Sequence, residues 1–141
     1  MSYKHIMVAV DLSADSELLI KKGANLAAAL EARLSIIHID VNYAELYTGL
    51  IDINLAATQH KMALDTKAQI DALVAHINYP VYKSLVGAGD LSDEICGTIL
   101  KEDVDLLVCG HHQDFWSKLL SSTKQLINVT PVDLLMVPLH D

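Results

Sequence analysis

Membrane-length apolar runs are missing from this 141-residue chain. The longest uncharged stretches, such as residues 6–10 and 134–137, fall far short of the ~20 residues that a spanning helix needs, and read as buried strands instead. The opening Met1-Ser2-Tyr3-Lys4-His5 has no apolar leader segment and no small-residue cleavage site, so export is not expected. Cysteine is scarce: Cys96 and Cys109 stand thirteen apart with no Cys-x-x-Cys pair. That usage suits a reducing compartment in which both thiols stay free and pack as small apolar residues. Positive charge is also short, with 10 Lys and Arg against 18 Asp and Glu and only Lys21-Lys22 adjacent. Without a basic patch to offset phosphate repulsion, nucleic acid is not an expected partner. Aromatic residues make up 5% of the chain, so aliphatic side chains must carry the packing.

What is present is aliphatic bulk: 52% of the residues are hydrophobic. A chain of this size buries roughly 68–70% of its unfolded surface, enough for one domain over residues 1–141. Four apolar runs without strict alternation, residues 6–10, 34–39, 104–109 and 132–137, predict strands covered on both faces, as in a parallel sheet. A fifth, residues 81–86, mixes polar and apolar positions and predicts an edge strand, with Lys83 discouraging further pairing. Between them runs helical spacing. Leu19, Gly23, Leu26, Ala27 and Leu30 share one face, with Ser13 as N-cap and Asp15 and Glu17 in the first turn. Ile70, Leu73, Val74 and Ile77 form a second stripe that stops before Tyr79-Pro80. Leu91, Ile95, Thr98 and Ile99 follow Asp90 as a third. Leu119, Leu120, Thr123 and Ile127 follow Asp114 as a fourth. The order β-α-β-α-β-α-β-α-β predicts an α/β fold, a single doubly wound domain with a five-stranded parallel sheet and helices on both faces. The connection over residues 41–54 is too apolar for a purely solvated loop and predicts cover for a crevice or a partner contact.

In such a sheet a ligand binds beyond the carboxyl ends of the strands, where the strand order reverses. Asp11, Val41, Gly87, Gly89, Gly110 and His111-His112 stand at those ends. With the first and fourth strands as neighbours, Asp11 faces Gly110. Asp11 has the chemistry to hold a metal ion or a ribose hydroxyl, or equally to satisfy backbone donors at the first helix. The glycines would admit a phosphate close to the backbone, or simply serve turns that need positive φ. Neighbouring His111 and His112 point apart in an extended segment and do not make a zinc site. There is no His-x-x-x-His, no Gly-x-Ser-x-Gly and no Gly-x-x-x-x-Gly-Lys-Ser/Thr, so no hydrolytic metal centre, nucleophile elbow or P-loop is expected.

Taken together, Tyr3-Lys4-His5-Ile6, Val8-Ala9-Val10-Asp11-Leu12-Ser13, the strand over 34–40, Gly89-Asp90-Leu91, Asp105-Leu106-Leu107-Val108-Cys109-Gly110 and Val137-Pro138 resemble the universal stress protein family over essentially the whole chain. The segments 46–52 and 110–119 resemble its A branch. The resemblance implies an adenine-nucleotide-alpha-hydrolase-like sheet of order 3-2-1-4-5. It also implies a cytoplasmic homodimer in which the fifth strands, with Val132, Leu134, Met136 and Val137, pair across a two-fold axis; an apolar terminal edge strand suits that role.

Nucleotide-binding members of the family carry Gly-x-x-Gly, nine residues, then Gly-Ser or Gly-Thr. Here Gly110 matches, Gln113 replaces the second glycine, and Thr123-Lys124 stands in place of Gly-Ser. Asp11, Val41, Gly89 and Gly110 are then residual positions of a nucleotide crevice whose phosphate half is altered. The expectation is a non-enzymatic stress-response homodimer with no cofactor, acting on other proteins. The alternative is an ATP-dependent switch or weak ATPase built on the residual crevice. A receiver module shares the layout but would need an acidic pair after the first strand and a Lys after the fifth, where this chain has one Asp and Pro138.

Overall fold

Strands apolar on both faces need a helical layer on each side, and the distribution of buried side chains follows that demand. A computed structural model of the chain describes residues 3–10, 12, 15–40, 55–88, 91–111 and 131–138. The elements are β1 (His5–Ala9), α1 (Ser16–Leu30), β2 (Arg33–Asp40), α2 (Leu55–Val74), β3 (Lys83–Ala88), α3 (Leu91–Glu102), β4 (Leu106–His111) and β5 (Asp133–Pro138). All five strands are parallel, in the order β3-β2-β1-β4-β5. The expected fourth helix and the connection over 41–54 lie outside the described residues.

Alternate residues of each strand feed two cores. Ile6, Val8, Leu34, Ile36, Leu106 and Val108 meet Leu19, Ile20, Ala24 and Ala27 of α1 and Ile70 of α2. Met7, Ile37, Leu107 and Cys109 meet Ile95 and Ile99 of α3 on the other face. Each fully buried aliphatic side chain contributes about 1.5–3 kcal/mol. At Gly23 a Cβ would collide with Cγ2 of Val8, so glycine there lets α1 lie close on the central strand. The stripe read from the sequence is thus narrower than the real one, which includes Ser16, Ile20 and Ala24.

Several boundaries differ from expectation. The third, fourth and fifth strands begin one to two residues later than their apolar runs. Val104 is buried, but its amide bonds to Ile99 O (3.1 Å) and closes α3 rather than opening β4. Gly87 and Gly110 are strand residues, paired with Ile39 and Val137, not turn glycines. The N-cap of α1 is Asp15, in a helical conformation and without a side-chain cap bond, while Ser13 lies outside the described residues. Ile77 sits beyond the end of α2. There the bonds His76 to Leu73 O (3.4 Å) and Ile77 to Val74 O (3.2 Å) reach only three residues back, a tightening that ends the helix ahead of Pro80. Glu31 and Asp103, past the ends of α1 and α3, take left-handed φ of 56° and 55°, the conformation that turns a chain out of a helix.

The amino ends of the strands are fastened by polar groups. The Asp105 carboxylate accepts from the amides of Lys4 (2.8 Å) and His5 (3.1 Å). Lys83, expected as a free blunting charge on the edge, bonds Glu102 at 2.8 Å, an interaction that raises the lysine pKa and lowers the carboxyl's. Tyr79 donates to Ala32 O at 2.5 Å, tying the segment after α2 to the α1–β2 turn.

Candidate functional site at the carboxyl ends of the strands

From β1 the chain winds outward to β2 and β3, and then crosses to β4 and β5 on the other side. The reversal lies between β1 and β4, so the crevice opens beyond their carboxyl ends. Register sets its floor. Ala9 pairs with Cys109, which puts Gly110 one step further on, level with Val10. Val10 is buried, and Gly110 adds no side chain beside it. Asp11, Val41 and Gly89 lie outside the described residues.

Two groups at this end were not singled out from sequence. His38, half-buried on β2, places Nδ1 2.8 Å from Val10 O. A carbonyl oxygen can only accept, so Nδ1 carries the proton and a neutral ring keeps its Nε2 lone pair for another partner. Val10 N–H meanwhile bonds Ile37 O at 2.9 Å. A backbone bond and a side-chain bond therefore hold the last turn of β1 against β2. Beyond it Leu12 takes φ 64°, left-handed and unusual for a bulky residue. Such a conformation costs about 1–3 kcal/mol, and outliers of this kind concentrate at ligand sites.

Burial pushes the Cys109 thiol up to about 12, so it stays protonated and is neither a nucleophile nor a metal ligand near neutral pH. Cys96 on α3 is half-buried and its pKa is likewise raised, first by burial and then by Asp93. Among the described residues no three His, Cys, Asp or Glu side chains converge as a metal site. A shallow depression of about 310 Å³, lined by Leu12, Glu17, Gln69, Ala72, Leu73 and His76, lies between the start of α1 and α2.

At the other candidate surface, β5 is an edge strand of the sheet, hydrogen-bonded to β4. Val132, Leu134 and Met136 are half-buried against the α3 core, and Val137 is 5% exposed in the α1 core. Leu135, which the sequence reading passed over, is the large apolar side chain that β5 turns outward, at 43% exposure.

A sheet of this order, with its reversal between β1 and β4, is a widespread frame, and sequence likeness decides which family built it. The profile described as the universal stress protein family matches residues 2–138. The chain belongs to the universal stress protein family. It is similar to a universal stress protein A homolog of Pasteurella multocida, 53% identical over 139 residues, covering 99% of each chain. It is also similar to universal stress protein A of Escherichia coli strain K12, 50% identical over 141 residues, covering all of this chain and 98% of the other. These names match the A branch that the sequence resembles. A universal stress protein solved in complex with cAMP shares the fold, with a TM-score of 0.64, 18% identity and 98% of both chains covered. No helix among the described residues is long and apolar enough to cross a membrane.

Proposed function

We propose that this universal stress protein is a cytoplasmic, non-enzymatic homodimer that acts by binding other proteins and does not use ATP. The observation that carries the reading is Gln113, three residues beyond Gly110, a side chain where the nucleotide-binding pattern has bare backbone to approach phosphate. Thr123-Lys124 in place of Gly-Ser points the same way, and the protonated Cys109 thiol beside Gly110 offers no nucleophile. Asp11, Val41, Gly89 and Gly110 remain as the residual crevice. In the homodimer the β5 edges pair, with Leu135 covered by its symmetry mate and Val132, Leu134, Met136 and Val137 supplying the strand.

Calorimetric titration with Mg-ATP up to millimolar concentration is expected to give no saturable heat, and micromolar affinity would overturn the reading. Sedimentation should find a dimer that Leu135→Lys dissociates; a monomeric parent chain would remove the β5 interface. The second reading, a nucleotide-dependent switch, is supported by the cAMP complex of the structural relative and by His38, a half-buried imidazole near the crevice. Saturable heat would favour it.

A further inference from the structure

His5, at the start of β1, is 0% exposed, as is Ser35 on β2. The imidazole Nδ1 lies 2.9 Å from the carbonyl oxygen of Glu102, at the end of α3, and Nε2 lies 2.7 Å from Ser35 Oγ. Since the carbonyl accepts, Nδ1–H donates to it, and Nε2 then accepts the Ser35 hydroxyl proton. The neutral ring thus has both nitrogens satisfied and bolts three elements together. A second proton on Nε2 reverses the Ser35 bond. The hydroxyl must turn to accept and aim its own proton elsewhere, and a cation is left in a dry site.

The surroundings do little to compensate. Tyr82 meets the imidazole edge-on, with centroids 5.5 Å apart and planes at 89°. Arg33 from β2 stacks on the same tyrosine, its Cζ 4.6 Å from the ring centroid, and opposes a nearby positive charge. Lys83 also lies beside that ring, at 5.6 Å. Glu102 and Asp105 favour the proton, but the Glu102 carboxylate is bonded by Lys83 and that of Asp105 by the amides of Lys4 and His5. Burial is the largest influence and holds the His5 pKa below the ordinary imidazole value, with the Glu102 carbonyl opposing it.

We propose that His5 is an acid-sensitive fastening of the sheet's amino-terminal pole, and that protonating it loosens the junction of β1, β2 and α3 while the crevice end of the strands stays in place. The sign follows from linkage. The folded ring resists the proton that the unfolded chain binds near pH ~6.5, so the contribution to stability is complete above that value and is lost as the pH falls below it.

The test is urea unfolding and imidazole NMR titration of the full chain between pH 8 and 5, for the parent, His5→Gln and Ser35→Ala. In the parent, His5 should titrate below the ordinary imidazole value, and the unfolding constant should rise with acid more steeply than in His5→Gln, the excess reaching up to tenfold per pH unit below ~6.5. Ser35→Ala removes the hydroxyl that donates to the neutral ring and would accept from the charged one; a charged N–H loses more by going unpaired than a neutral nitrogen does, so the His5 midpoint should move further down and the acid loss extend to lower pH. That readout also serves if His5→Gln does not fold. Amide protection factors at Arg33 and Asp105, corrected for the intrinsic slowing of exchange in acid, should fall with acid ahead of that at Val10. Parallel acid profiles for parent and His5→Gln, or a His5 midpoint unmoved by Ser35→Ala, would overturn the proposal.

Discussion

At the amino ends of the strands, His5, Ser35, Glu102, Lys83 and Asp105 spend their polar atoms on one another and on neighbouring backbone. At the carboxyl ends of the same strands the described residues are left-handed Leu12, side-chain-free Gly110, and His38 with one ring nitrogen committed to Val10. One end is closed by mutual satisfaction. The other holds local strain at Leu12, the kind of outlier found where a protein meets something outside itself. The contrast suggests that in this chain stability and recognition are assigned to opposite poles of one sheet, so that substitutions can separate them.

The largest effect should come from breaking the closed end. Asp105→Ala strips the amides of Lys4 and His5 of their acceptor and should cost about 1.5–3 kcal/mol in urea unfolding, with no change in any ligand response at the crevice. A loss under ~0.5 kcal/mol would mean that the amino pole is less interlocked than its hydrogen bonds imply. At the open end the sign should reverse. Leu12→Gly removes the left-handed penalty and should stabilise the fold by up to about 1 kcal/mol, offset in part by the freer unfolded chain. Destabilisation would show that Leu12 packing outweighs its strain. The smallest effect belongs to the Lys83–Glu102 pair, whose lysine is well exposed. Lys83→Met should barely move the unfolding midpoint, and any change should fade in high salt, as exposed pairs do.

Sequence alone made the frame legible: five strands, the first three helices between them, and two edges. That is because both-face burial leaves continuous apolar runs that few other arrangements produce. The strand starts were less legible. Val104 and Val132 are apolar for reasons of helix closure and core contact, and hydrophobicity does not say which backbone bond a residue makes. His5 looked like one scattered histidine among seven, since its partners Ser35 and Glu102 lie 30 and 97 residues away. A histidine between polar residues and a buried strand is the faint signal it left. His38 was hidden in the same way. Leu12 carried no signal, because nothing in a leucine announces positive φ.

Gly23 fixes how motion can travel through this molecule. With no room for even a methyl group between α1 and Val8, a slide of the helix across the central strand would have to displace the Val8 side chain. A binding event at the mouth of the crevice, where α1 begins, would therefore not swing that helix like a lever.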